Sequence, residues 1–222
     1  TDHTILDTVL FPGTGFLELA WAAARALGAS TVESLTLRTP LVLGERGAVR
    51  VQVSVEAPDE SDRRALSIYG GVEEEAGDAP WVLHATGVLS DAVADLSEEF
   101  EELAAWPPSG AEPVDLSGFY EGLEAHGLHY GPAFQGLVEA WRSDGVIYGR
   151  VELPEGVCET APAHGVHPAL MDAALHSLVA ASAGEDAPTE GVLLPFEWSE
   201  AALYATGATE ARVRLELEGL SG

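Results

Sequence analysis

Apolar residues fall at Phe16, Leu19, Ala20, Ala23 and Leu27, a stripe of helical period that predicts one long helix over Pro12–Leu27. Pro12 opens it, Thr14 is its candidate cap and Gly28 its stop. The period then changes to two. "TVESLTLRTPLVL" alternates early, "AVRVQVSVEA" alternates almost strictly, and "RALSIYGGV" and "PWVLHATGVLS" continue the series, which predicts one antiparallel sheet. The acidic, then Pro-rich stretch "DAVADLSEEFEELAAWPPSGAEPVD" breaks the pattern and predicts a linker with a short helix. A second round follows. "LSGFYEGLEAHG" predicts a helix closed by Gly127, and "AFQGLVEAWR" and "VIYGRVELP" predict strands. "HPALMDAALHSLVAAS" predicts a second long apolar helix entered through Pro168, and "LLPFEWSEAALYA" and "ARVRLELEG" predict further strands.

Each round thus contains one long apolar helix with several strands. The expected organisation is an N-terminal unit over residues 1–94, a linker over 95–114 and a C-terminal unit over 115–222. A sheet wrapped round each helix, with the two sheets joined edge to edge, places the chain in the α+β class.

Composition narrows the partners. With 222 residues, 46% of them hydrophobic, the chain can bury a sizeable core. Its formal net charge of −27 repels a phosphate backbone, which excludes a nucleic-acid partner. Cys158 is the single cysteine, so there is no internal disulfide and no zinc–thiolate cluster, and a reducing cytoplasm fits. The two apolar helices are interrupted by Glu18, Arg25, Asp172 and His176, and no apolar run nears the ~20 residues of a membrane span. There is no start methionine and no signal peptide, and "EGLSG" follows the last predicted strand at once. The chain reads as a piece of a longer polypeptide.

Three stretches carry candidate chemistry. In "HPALMDAALH", Asp172 and His176 stand four apart and share a helix face crowded by Leu170, Met171, Ala173, Ala174, Leu175 and Leu178. Such surroundings strip solvent from the carboxyl and raise its pKa, so that it keeps a proton and serves as an acid. The other reading is an i,i+4 pair on the helix surface. His3, at the mouth of the first apolar run, is either a base or a histidine with one local partner. His84, His126, His129, His164 and His167 stay unassigned. In "GLHYGPAFQGL", Gly131 and Pro132 force a turn that holds Tyr130, either as a hydrogen-bond donor or as packing. Leu194, Pro195, Phe196 and Trp198 are either core residues or the lining of an acyl tunnel.

Together these stretches resemble the dehydratase domains of modular polyketide synthases, which share a double hot-dog fold with fatty acid synthase dehydratases. The family's HxxxGxxxxP motif matches "HTILDTVLFP" from His3 to Pro12, with Asp7 in place of glycine. Its GYxYGPxF motif matches "GLHYGPAF", with Leu128 in place of the first tyrosine. The aspartate motif matches "HPALMDAALH", and LPFxW matches Leu194, Pro195, Phe196 and Trp198. Order and spacing agree over nearly the whole chain, although strands that the family carries before the histidine motif and at the C-terminus are short or absent.

The resemblance implies elimination of water from a 3-hydroxyacyl thioester held on an acyl carrier protein. It implies His3 as the base, Asp172 as the acid, His176 as the group that orients Asp172, and Tyr130 as a contact to the hydroxyl. Backbone N–H groups near Pro12 and Gly13, at the start of the first helix, would polarise the thioester carbonyl. Pro132, Leu194, Pro195, Phe196 and Trp198 would line the acyl site. No cofactor is implied beyond the phosphopantetheine arm of the carrier protein, and no metal, since acid–base roles account for His3, Asp172 and His176. The implied partners are the carrier protein, neighbouring synthase domains and a second copy of the chain. Arg25, Arg38 and Arg142 are docking candidates by exclusion. Two alternatives stand beside dehydration: double-bond isomerisation or cyclisation on the same scaffold, and an inactive structural domain. Asp7 bears on the choice, because a carboxylate beside His3 would raise the pKa of the imidazole and weaken it as a base.

Overall fold

A computed structural model describes residues 2–44, 48–72, 80–92, 97–182 and 194–217 of the chain. Residues 93–96 of the predicted linker, Leu193 and the closing "EGLSG" lie outside the described residues. The elements in order are β1 (His3–Ile5), β2 (Thr8–Val9), α1 (Gly13–Leu27), β3 (Thr31–Leu37), β4 (Val49–Val55), β5 (Arg64–Val72), β6 (Val82–Ser90) and α2 (Ser97–Glu102). There follow β7 (Glu112–Pro113), α3 (Phe119–Ala125), β8 (Leu128–Tyr130), β9 (Leu137–Ser143), β10 (Val146–Glu152), α4 (Glu155–Cys158), α5 (Pro168–Ser182), β11 (Glu197–Ala202) and β12 (Glu210–Glu216).

The first helix begins where proline puts it. Pro12 is extended, with φ −67° and ψ 149°, and its carbonyl accepts the Gly15 N–H at 2.9 Å. No side chain caps this end. Thr14 therefore does not act as the expected cap: it lies inside the first turn, buried, and its hydroxyl has no hydrogen-bond partner. At the other end Gly28 takes the left-handed conformation, φ 78°, that stops a helix without a Cβ penalty. Phe16, Leu17, Ala20, Trp21 and Ala24 then bury against Val32, Leu35, Leu66, Ile68, Ala85 and Leu89 of an antiparallel sheet ordered β11-β3-β6-β5-β4. Each large side chain so buried is worth roughly 1.5–3 kcal/mol relative to exposure.

The second helix repeats the arrangement. Ala169, Leu170, Ala173 and Ala180 of α5 pack on Leu137 and Val151 of the sheet β12-β10-β9-β7 and on Leu153 just beyond β10. Gly149 on β10 lets α5 come close, because any Cβ there would overlap the Ser177 hydroxyl.

The sheets are not simply joined edge to edge. A small third sheet, β2-β1-β8, links the start of the chain to the segment before β9, with His3 opposite Tyr130 and Ile5 opposite Leu128. In addition β11, from the end of the chain, pairs with β3, so that Trp198 faces Leu35 across the ladder and completes the sheet around α1. Both pairings reach across the 95–114 segment. Between β1 and β2 the turn is only Leu6 and Asp7, with φ of 45° and 63°, the two positive values of a type I′ hairpin.

One buried acid ties the two helices together. Glu18 of α1 accepts the backbone N–H groups of Gly165 at 2.9 Å and Val166 at 3.1 Å, and its own helix adds Arg25 at 3.2 Å. Gly165 and Val166 immediately precede the start of α5, and Met171 of α5 packs into the core around α1.

Candidate active site

The β1–β8 pairing brings His3 to the interior, where it is 8% exposed. Its Nδ1 lies 3.1 Å from the Leu10 carbonyl oxygen, which can only accept. In the neutral imidazole the proton therefore sits on Nδ1, and Nε2 is bare. That bare nitrogen points at Asp172, 4.0 Å from Oδ2. Tyr130 and Phe134 flank the ring at centroid distances of 5.6 and 5.4 Å.

Asp172 and His176 are 7% and 3% exposed. Of the two readings open from sequence, the structure thus selects the buried pair rather than the surface one. Four residues apart on α5, they put His176 Nε2 3.4 Å from Asp172 Oδ2, the same oxygen that faces His3. Asp172 Oδ2 and His176 Nε2 are both buried without a closed hydrogen bond. Catalytic hydrogen bonds are often this long before substrate is bound.

Behind His176 stands a residue that the sequence did not single out. Tyr120 of α3 places its hydroxyl 3.3 Å from His176 Nδ1 and accepts the Leu137 N–H at 3.0 Å. Burial, opposed by the Leu137 hydrogen bond and helped by the nearby Asp172 charge, pushes the Tyr120 phenol up to about 12. Tyr130 stacks edge-on against His176 at 4.3 Å. Burial, then Asp172 and then Tyr120 raise its pKa well above the ordinary phenol value. Both tyrosines are therefore protonated donors at neutral pH. A tyrosine on a short amphipathic helix reads as packing, so nothing in the local sequence marked Tyr120.

The remaining predicted residues divide. Pro12 and Gly13 form the N-terminus of α1, and a Cβ on Gly13 would come within 3.1 Å of the Pro195 ring. Leu194 and Phe196 are 48% and 65% exposed, Pro132 is exposed, and Trp198 packs against the core around α1. Asp7 stands exposed in the hairpin turn, and the carboxylate that approaches His3 is Asp172. The influence of Asp7 expected on His3 has no ion pair behind it among the described residues. Arg25 is engaged by Glu18, whereas Arg38 reaches Thr86 Oγ1 at 3.2 Å and Arg142 lies 4.0 Å from Glu112.

The other histidines have local partners. His84, His126 and His164 direct Nδ1 to the carbonyls of Thr39, Gly122 and Thr160, and His129 pairs with Glu124 at 3.3 Å. His167 accepts the Ala169 N–H at the start of α5, and burial, with His164 beside it, lowers its pKa. Among the described residues no group of three or more His, Cys, Asp or Glu side chains is arranged to hold a metal ion, and no helix is long and apolar enough to cross a membrane.

Comparison with known proteins adds the family. Residues 1–71 match a family model described as the polyketide synthase dehydratase domain, and residues 98–219 match one described as the polyketide synthase dehydratase N-terminal domain. The chain is similar to the polyketide synthase GfsB of Streptomyces halstedii, 49% identical over 218 residues, which is 96% of this chain and 4% of that protein. It is also similar to the pikromycin polyketide synthase component PikAII of Streptomyces venezuelae, 48% identical over 219 residues, 98% of this chain and 6% of the relative. The chain thus spans only a small part of the curated relatives it matches. Among solved structures it is similar to the bifunctional dehydratase-cyclase domain in ambruticin biosynthesis, at 48% identity and a TM-score of 0.90, covering 100% of this chain and 75% of that one.

Proposed function

This chain belongs to the polyketide synthase dehydratase family, and from that membership we propose that it removes water from a 3-hydroxyacyl thioester held on an acyl carrier protein, giving the α,β-unsaturated thioester. Its α+β architecture is the family's double hot-dog. Residues 1–94 and 115–222 are read as the two hot-dog units, joined by 95–114 and exchanging strands through β1–β8 and β11–β3.

The observation that carries this reading is the approach of a bare imidazole nitrogen to a buried carboxyl at 4.0 Å, from opposite ends of the chain. His3 Nε2 takes the proton from the α-carbon. The electron pair of that C–H bond becomes the new C=C bond as the β-carbon–oxygen bond breaks, and Asp172 in its acid form gives a proton to the leaving hydroxyl, which departs as water. Because the two groups are so close, proton removal and hydroxyl departure occur on one face of the acyl chain. Negative charge that builds on the thioester oxygen is met by the free N–H groups at the N-terminus of α1, near Gly13. Tyr130, a protonated donor beside His176, hydrogen-bonds the β-hydroxyl.

The domain needs no cofactor of its own. The phosphopantetheine arm comes with the carrier protein, and the neighbouring synthase domains are the proposed partners. Arg38 and Arg142, exposed on a strongly acidic chain, are the docking candidates left after Arg25 is assigned to Glu18.

The test is to load a carrier protein with a 3-hydroxyacyl group and follow its intact mass with the chain. Loss of one water supports dehydration. A product of unchanged mass but altered chromatographic retention after release from the carrier identifies an isomerase, and a substrate unchanged in both identifies a structural domain. The likeness to the ambruticin dehydratase-cyclase favours one second reading, in which the product enoyl thioester is attacked by a distal hydroxyl of the same acyl chain. A substrate carrying that hydroxyl then loses one water but fails to accumulate the ultraviolet absorbance of the conjugated thioester.

Asp7 supplies a separate check on the base. With its side chain exposed and in no ion pair with His3, Asp7→Gly should leave the acid limb of the kcat/KM–pH profile where it was. A downward displacement of that limb would show the carboxylate acting on His3 after all.

A further inference from the structure

We propose that Tyr120 is a positioning residue: its hydroxyl, anchored on the Leu137 backbone, donates to His176 Nδ1 and so holds the ring with an Nε2 proton directed at Asp172. The proposal rests on the acid role given to Asp172 above.

The Leu137 bond has one possible direction, and it supports the direction proposed for the next. The Leu137 N–H can only donate, so at 3.0 Å it occupies an acceptor site of the Tyr120 oxygen and leaves the phenolic proton free to be given away. The acceptor 3.3 Å away is His176 Nδ1. A nitrogen that accepts carries no proton, so the proton of a neutral His176 must sit on Nε2, which faces Asp172 Oδ2 at 3.4 Å. The three groups, at the start of β9, on α3 and on α5, therefore donate in one direction, ending on the carboxyl.

This arrangement serves two moments of the reaction. Before proton transfer, a His176 whose Nε2 already bears hydrogen cannot take the proton that Asp172 must give to the substrate. After transfer, Asp172 is a carboxylate in a buried site, where an unpaired charge is costly, and the Nε2–H is in place to donate to it. The high phenol pKa keeps the Tyr120 proton available throughout the working pH range. Tyr130 and Phe119, packed edge-on against the His176 ring at 4.3 and 6.2 Å, hold the plane of the imidazole but offer no partner to Nδ1 in this arrangement.

The experiment uses the full chain, with ¹⁵N-labelled histidine, and Tyr120→Phe, which removes one oxygen. In the parent protein the His176 resonances are assigned by their loss in His176→Gln. They should report a bare, hydrogen-bonded Nδ1 and a protonated Nε2. In Tyr120→Phe the Nδ1 signal should move to the position of a nitrogen without a hydrogen bond, and kcat should fall about tenfold, the weight of a single hydrogen bond, with KM changed less than about twofold. A His176 protonated at Nδ1 in the parent protein overturns the proposal, whether or not the variant folds. So does a variant with unaltered kcat and unaltered nitrogen spectrum. Because the nitrogen spectrum needs no turnover, it decides the role of Tyr120 even in a chain that dehydrates nothing.

Discussion

Asp172→Asn and His3→Ala each lower turnover of a 3-hydroxyacyl thioester by about 10²–10⁴-fold or more, while the folded chain remains. Asparagine keeps the size and shape of the carboxyl and preserves packing beneath His176, but it has no acidic proton to give the leaving hydroxyl. Alanine at position 3 removes the only nitrogen that faces Asp172 from β1. On the proposed mechanism one group opens the C–H bond while the other completes the C–O cleavage, so the two should act as a unit and the double variant should be barely slower than either single one. The check is single-turnover mass spectrometry on loaded carrier protein for the three variants, with circular dichroism and thermal melts alongside. Parent-like rates in either single variant remove the assignment. A double variant whose loss equals the product of the two single losses would mean that the groups contribute independently rather than as a unit.

How much of this site can be read from residues alone follows from what each contact depends on. The i,i+4 relation of Asp172 and His176 is local to one helix, so the spacing in "HPALMDAALH" already places both on one face. The stop at Gly28 is local too, and the structure has it; the α1 stripe is met only in part, since Phe16 and Ala20 are buried together with Leu17, Trp21 and Ala24 while Leu27 stands exposed, and in β4 Val49, Val53 and Val55 turn inward but Val51 does not. The His3–Asp172 approach is different. It depends on β1 and β8, whose runs His3–Ile5 and Leu128–Tyr130 are too short to display a period of two, and whose pairing is set by the packing of everything between them. Motif resemblance supplied that convergence where periodicity could not. At the other end Phe196 and Leu194, read as core or as lining of an acyl site, stand exposed and so are not core, while Trp198, on β11 opposite Leu35 of β3, packs against the core around α1. Glu18 did leave a trace, as an acid set among Phe16, Leu17, Leu19 and Ala20 in an otherwise apolar helix. Such a residue is seldom buried unless something pairs with it, but the sequence could not say that its partners were backbone groups at positions 165 and 166.

That acid is where the second large effect is expected. Glu18→Ala should cost about 3–5 kcal/mol of folding stability, the loss typical when one partner of a buried charged network is deleted. Two backbone N–H groups, on Gly165 and Val166, lose their acceptor in the interior, and the Arg25 guanidinium loses its counter-charge. The Arg25 side chain is 34% exposed, so water screens its share, and most of the loss belongs to the two stranded amides. Arg25→Ala should accordingly cost much less than Glu18→Ala. Urea denaturation of the three proteins measures this, as a fall in midpoint at constant m-value. The same clasp holds the segment that leads through His167 into α5, and Asp172 and His176 ride on α5. A displacement of about 1 Å at a reacting group can cost on the order of 10²-fold in rate. Glu18→Gln retains one acceptor oxygen and the side-chain volume, so it should fold with a smaller stability loss and yet turn over more slowly than the parent, with the defect in kcat. An unaltered urea midpoint in Glu18→Ala would show that the Gly165–Val166 segment is held by other contacts. A Glu18→Gln protein that is destabilised but fully active would separate the clasp from the chemistry and leave the placement of Asp172 to the packing of α5 on β9 and β10.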